Sequence, residues 1–325
     1  MPTFHRPGYL REALASAVGQ TYKNLQIIVR DNASGDETPE VVSSFDDPRI
    51  EFFQALHNEG PWRNGNECVR RARGRYLLPL CDDDILGENY VATLIGFMEQ
   101  DPEIIAAYGA THSIDENGVV TGKRVPCGTH KWGVREIVQA WGSRKLPLIS
   151  GINFMCLTSF FVGLGERVSF PDGHNTDNAI FMTAGIRGKV LFTDQCVFYY
   201  RLHSLNSVRR HSCQLRAQGD KEFLRYLDAE VKSHLNVNVP RQEWPKMRGD
   251  LQEMFGNWYY GHFLDLHLHA DSVFEILGNV IVYSTQGYGV RNAFRLLRKN
   301  RSSLLNEIRK RVWGFRLRGR MNTRC

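Results

Sequence analysis

Residues 81–84 read Cys-Asp-Asp-Asp, directly after the apolar run "RYLLPL". Adjacent ionised carboxylates raise one another's pKa and weaken the local fold. The conflict is relieved if a hard divalent cation supplies the missing positive charge, and Mg²⁺ or Mn²⁺ takes oxygen ligands of this kind, usually together with substrate phosphates. A solvated acidic turn, or aspartates that cap a helix start, is the alternative reading. The position of the triplet after apolar chain favours the metal. A second polar turn, "DNAS" at 31–34, also follows an apolar run, "LQIIV" at 25–29.

The elements that must position these groups alternate along the chain. Leu10, Leu14 and Val18, with Ala13 and Ala17, recur at helical spacing behind Pro7, which suits a helix start. Residues 25–29 then read as a buried strand, 49–54 as the next strand, 62–72 as a helix, 76–81 as the strand that carries the triplet, 89–100 as a helix and 104–109 as a strand. Such alternation predicts an α/β fold with a mostly parallel sheet covered by helices on both faces, whose ligands sit beyond the carboxyl ends of the strands. Both polar turns lie at such ends and are expected to face one crevice. Beyond about residue 211 helical periodicity takes over, so the division expected is a catalytic domain over 1–210 and a helical, basic C-terminal region over 211–325.

Composition limits the setting. Seven cysteines are scattered without a CxxC pair, which argues against a disulfide framework and a zinc site and fits a reducing, cytoplasmic compartment. The uncharged run at 148–165 is too diluted with Ser, Asn, Thr and Gly for a membrane span, and no cleavable signal follows Met1. The net charge is +6, yet residues 291–325 hold twelve Lys or Arg against one acid, a local +11 that leaves −5 on the rest. Within that segment Trp313, Phe315 and Leu317 alternate with Arg309, Lys310, Arg311, Arg316 and Arg318, the mixture of a helix lying in an anionic membrane interface. A peripheral position at the inner membrane face is therefore expected, with a solvated basic tail as the alternative; nucleic acid is not favoured.

The stretch "PTFHRPGYLREALASAVGQTYKNLQIIVRDNAS", followed by "NEGPWRNGNECVRRARGRYLLPLCDDDIL", resembles the nucleotide-sugar half of a family 2 glycosyltransferase with the Rossmann-like GT-A fold. The landmarks run in order over some 85 residues: the Pro-Thr-aromatic opening, "QTYKNLQIIV", the "DNAS" loop, Asn58 and Gly60, Asn66, and Gly74 before the acidic motif. The resemblance implies a metal-dependent, inverting transfer from a nucleotide-sugar donor, UDP-type rather than another, to a glycan or lipid-linked acceptor. It places Pro2, Thr3 and Phe4 under the donor base and ribose, Asp31 and Asn32 at the base edge, and Asn66 among the donor contacts. In the acidic motif Cys81 stands where the first Asp is usual. Asp83 then becomes the ligand of Mn²⁺ or Mg²⁺, Asp82 a contact to ribose or a metal-bound water, and Asp84 a cap of the next segment.

Further on, "GHNTDNAIFMTAGIRGKVLFTDQCVFYYRLHSLNS" is similar to the acceptor side of the same family. By that match Asp177 is the general base, with an acid opening the helix 178–186 as its structural alternative. Arg201 and His203 fall in the "YRxH" segment beside the diphosphate or the metal. The resemblance also implies an apolar strand running into the Pro-Thr-aromatic loop, and Met1 stands where it ends. A missing first strand is thus expected, leaving neighbouring backbone groups unpaired. Two competing readings remain: a sugar nucleotidyltransferase, against which "PTFHRPG" lacks a glycine-rich phosphate loop, and a non-catalytic, membrane-associated sugar-binding or scaffold protein, favoured by Cys81 and the missing strand.

Overall fold

A computed structural model describes residues 1–124, 128–142, 154–165, 170, 175–203, 213–234 and 242–251. The elements of the first half are β1 (Pro2–Thr3), α1 (Pro7–Val18), β2 (Ile27–Asp31), α2 (Thr38–Ser43), β3 (Ile50–Gln54), α3 (Pro61–Arg70), β4 (Tyr76–Leu77), β5 (Ile85–Leu86), α4 (Tyr90–Gln100) and β6 (Ile104–Ile114). There follow β7 (Val120–Arg124), β8 (His130–Trp132), α5 (Val134–Gly142), β9 (Phe154–Leu157), α6 (Thr158–Leu164), α7 (Thr176–Arg187), β10 (Lys189–Arg201) and α8 (Cys213–Ser233). Residues 244–251 are also helical.

Strands β1, β2 and β3 form a parallel sheet in that order. A second sheet runs β4-β9-β6-β10-β5, with β7 paired to β6 and β8 to β10. Its two long strands, β6 and β10, are parallel, and the shorter ones pair antiparallel around them. Successive strand residues point to opposite faces, and β6 and β10 use that alternation to build two cores. Ala106, Tyr108, Val190 and Phe192 pack with apolar residues of α5, α6, α7 and α8, whereas Ala107 and Leu191 pack with those of α1, α2 and α4. The α/β architecture with helices on both faces is the one expected.

The element boundaries differ where backbone chemistry intervenes. The strand expected over 76–81 is only Tyr76–Leu77, because Pro79 has no N–H to give a ladder. The chain then runs unpaired into the acidic triplet and re-enters the sheet at β5. The opening residues do form a strand: β1 pairs Pro2 with Arg30 and Thr3 with Asp31. The Met1 ammonium donates to the Ile28 carbonyl at 2.7 Å, and Arg30 N–H donates to the Met1 carbonyl at 3.0 Å. The boundary expected near residue 211 falls outside the described residues, as do 148–153 and the whole basic segment 291–325. Among the described residues no helix is long and apolar enough to cross a membrane.

Two contacts fix the crevice end of this frame. At Gly109 an added Cβ would lie 2.5 Å from Tyr90 Cε2 and 2.7 Å from the Cys196 carbonyl, so only glycine lets α4 and β10 close on β6. Gln20, fully buried just past α1, donates from Nε2 to the carbonyls of Ser16 (3.0 Å) and Gly87 (2.8 Å). Its Oε1 accepts from Val91 N–H at 3.0 Å. The amide thereby clamps the chain that leaves the triplet against α1. Substituting Gln20 by Leu leaves Gly87 O and Val91 N–H without these partners and is expected to lower stability by about 2–4 kcal/mol, read from urea unfolding; a loss below about 0.5 kcal/mol would contradict this role.

Candidate active site

The acidic triplet, the N-terminus of α1 and the carboxyl ends of β1, β2 and β10 meet in one place. Asp82, Asp83 and Asp84 are all buried. Arg6, the residue before α1, sets one nitrogen, Nη1, against two of them: 3.2 Å from Asp82 Oδ1 and 2.7 Å from Asp83 Oδ2. His203, just beyond β10, brings Nε2 to 2.9 Å from the same Asp83 Oδ2, and its ring packs on Tyr9 with centroids 5.2 Å apart. Asp82 Oδ2 also accepts from Phe4 N–H at 3.4 Å. Burial and then the charge of Asp83 push the carboxyls of Asp82 and Asp84 above the ordinary range.

Arg201 requires a correction. Expected to touch the donor, it is fully buried. Its backbone N–H donates to Asp84 Oδ1 (2.9 Å) and its Nε to the Asp83 carbonyl (2.8 Å), while Nη1 reaches the carbonyls of Asp115 and Glu116. Nη2 pairs with Glu12 at 2.6 Å, and the guanidinium lies 4.8 Å from the Tyr9 ring centroid. The side chain spends its donors inward, on the backbone that carries the triplet. It is a bracket, and no face of it is open to a ligand.

The "DNAS" loop stands beside this cluster. Asp31 accepts from Ser34 N–H (3.1 Å), Ser34 Oγ (2.5 Å) and Gln54 Nε2 (3.0 Å), which closes the turn. Asn32 donates to Asn58 Oδ1 (2.9 Å) and accepts from Glu59 N–H (2.9 Å). Asn66, expected among the donor contacts, lies on the exposed face of α3. Asn64, one half-turn earlier, is buried, donating to the Thr3 and Arg30 carbonyls and accepting from Arg30 Nη1 at 2.9 Å. Pro2 and Phe4 are half-buried and Thr3 is buried beside them. Of the four non-glycine residues with left-handed backbone among the described residues, His5 at φ 54° and Ala33 at 62° lie here and Asn175 at 66° precedes α7, while Asp46 at 43° lies between α2 and β3; local strain of this kind gathers at functional sites.

Asp177 lies in the first turn of α7. Its carboxyl has no hydrogen-bond or ion-pair partner among the described residues, and burial pushes it up to about 6. Its charge reaches the same crevice: after burial, the carboxylates of Asp82–Asp84 and then Asp177 raise the Cys81 thiol. The Tyr200 hydroxyl is pushed up to about 12 by burial, then by Asp84, Asp83, Cys81 and Asp177.

The donor set admits a cation. One ligand atom each from Cys81, Asp83 and Asp84 lies within 4.8 Å of the others, and two of the three are hard carboxylate oxygens suited to Mg²⁺ or Mn²⁺. Asp83, the residue expected to hold the metal, is in this group, and His203 touches it. Neither Arg6 nor Asn64 stood out in the sequence. A signal for Arg6 existed, a basic residue between a strand end and a helix-starting proline in "PTFHRPG".

A family model described as "Glycosyl transferase family 2" matches residues 1–162. A similar relative is the UDP-Glc:alpha-D-GlcNAc-diphosphoundecaprenol beta-1,3-glucosyltransferase WfaP of Escherichia coli, 27% identical over 191 residues that cover 58% of this chain and 70% of the relative. Among solved structures, S. aureus TarS 1–349 in complex with UDP superposes with a TM-score of 0.56 at 14% identity, covering 93% of this chain and 90% of that one. The mannosyltransferase PcManGT from Pyrobaculum calidifontis, in complex with GDP-Man and Mn²⁺, gives a TM-score of 0.52 at 15% identity over 93% of this chain and 79% of its own. At such identities the two structures speak to the fold, and the fold is the expected GT-A arrangement. Through residues 1–162, with the motifs and crevice described above, the chain belongs to glycosyltransferase family 2.

Proposed function

We propose that this chain is a metal-dependent, inverting glycosyltransferase that takes a sugar from a UDP-type donor and adds it to a hydroxyl of a lipid-linked or surface glycan. The observation that carries the reading is the presence of two features at one crevice: the Cys81, Asp83 and Asp84 ligand group and the half-buried carboxyl of Asp177 in the first turn of α7, which has no partner among the described residues and is pushed up to about 6. The donor and acceptor classes are supported by the activity named for the E. coli relative, and the metal by the Mn²⁺ present in the P. calidifontis complex. Asp83, with His203 beside it and Asp82 toward the ribose, would hold Mn²⁺ or Mg²⁺, and a divalent cation there supplies positive charge to a departing diphosphate. Pro2, Thr3 and Phe4 form the floor under the base and ribose, and Asp31 and Asn32 shape its edge. Arg201 acts behind the site by holding the backbone of Asp83 and Asp84. Asp177 takes the proton of the attacking hydroxyl; a carboxylate with a pKa near working pH is a stronger base than an exposed one. Residues 1–210 form the catalytic domain in this reading, and the basic segment 291–325 rests on an anionic membrane surface at the cytoplasmic face.

Asp83→Ala is expected to abolish turnover and the metal-dependent part of nucleoside-diphosphate binding in calorimetry; unchanged affinity with Mn²⁺ present rejects the ligand role. For Asp177 the sign follows from its raised value. The folded protein binds this proton more tightly than the unfolded chain, so the contribution is full below about pH 4 and is lost as pH rises through about 6. Asp177→Asn should therefore be more stable than wild type at pH 8, by up to about 3 kcal/mol, and equal to it near pH 4. The same variant should bind donor normally and lose transfer, while wild-type transfer rises with pH through about 6. Near-normal transfer by the variant removes the base assignment.

A further inference from the structure

Two arginines serve the acidic triplet, and they are built differently. Arg201 is fully enclosed and paired with Glu12, so its charge is already spent. Arg6 pairs directly with the carboxylates of Asp82 and Asp83, yet its side chain is 26% exposed. Its backbone is fixed, since the Arg6 carbonyl accepts from Leu10 N–H in the first turn of α1 and the neighbouring His5 N–H donates to Ser34 Oγ. The anchor is rigid while the guanidinium faces the crevice mouth.

Asp83 Oδ2 already takes Arg6 at 2.7 Å and His203 at 2.9 Å. A cation arriving at Asp83 must either replace Arg6 on that oxygen or settle on the other one, facing a guanidinium a few ångströms away. In both cases the charge of Arg6 opposes it. A displaced guanidinium, still tethered at the start of α1, is left at the place where a donor diphosphate would lie, and Arg is the side chain best shaped for that partner.

Resting on the donor-site reading above, we propose that Arg6 is an exchangeable counter-ion: it neutralises Asp82 and Asp83 in the empty site, yields them to a divalent cation, and turns to the diphosphate of the nucleotide. The exchange makes cation and nucleotide bind together and keeps the cation weak alone. It gives Arg6 two effects of opposite sign, which damage to the fold does not produce.

The test is Mn²⁺ titration of the full-length protein by electron paramagnetic resonance, with and without UDP, in wild type, Arg6→Gln and Arg6→Lys. Without nucleotide, Arg6→Gln should bind Mn²⁺ about tenfold more tightly than wild type, and with Mn²⁺ saturating it should bind UDP about tenfold more weakly. Arg6→Lys keeps the charge on a shorter side chain and loses the guanidinium whose Nη1 bridges Asp82 and Asp83, so its Mn²⁺ affinity should fall between the two; this variant decides the matter should Arg6→Gln not fold. Mn²⁺ affinity in either variant equal to or below wild type overturns the exchange. Wild-type protein that binds Mn²⁺ no better with UDP than without defeats the donor-site reading itself, and the exchange with it. If UDP tightens wild-type Mn²⁺ binding and the variants gain nothing, the exchange alone is lost.

Discussion

Three buried carboxylates in succession form the constraint around which this molecule is arranged. Charge of one sign cannot be taken out of water without compensation, and the cost exceeds that of any single packing contact in the structure. The chain answers in layers. Arg201 and Glu12 neutralise one another behind the triplet and hold its backbone. Arg6 and His203 meet Asp83 from the front. Arg6 is the one guanidinium that pairs with these carboxylates among the described residues, which leaves a deficit of positive charge in a crevice that opens at the strand ends. That deficit is the physical basis for reading the place as a cation and diphosphate site.

The supporting elements follow from this need. Strands β1 and β2 are parallel and end together, the helix that follows β1 presents its N-terminus and Arg6 there, and β10 of the second sheet brings Arg201 and His203 to the same acids. Gln20 and Gly109 then hold the chain that leaves the triplet against α1, α4 and β10. Asp177 arrives from the other core, on α7, where nothing described neutralises it. The triplet is compensated in part by Arg6, while Asp177 has no compensating charge among the described residues, which separates the two carboxylate chemistries across a single crevice.

Much of this was legible in the residues. Apolar spacing behind Pro7 marked α1, the alternation of strands and helices marked the α/β class, and the two polar turns at strand ends marked the crevice. Asp83 and His203, far apart in sequence, were expected together and are in contact. What the sequence did not disclose is direction. A helix turns by about 100° per residue, so a shift of two positions carries a side chain across the helix; the buried asparagine of α3 is Asn64, and Asn66 faces water. Arg201 was expected at the donor while Arg6 drew no assignment, because residue type gives the charge and only packing shows which guanidinium is walled in. The shortness of β4 was there to be read in Pro79, whose missing N–H outweighs the apolar run around it.

The account is tested most directly by anomalous diffraction at the manganese edge from a crystal grown with Mn²⁺ and UDP. It predicts one strong peak bonded to an Asp83 carboxylate oxygen and to the diphosphate, with the uridine over the Thr3–Phe4 loop. UDP bound elsewhere, or bound in that loop with no peak at Asp83, would contradict it.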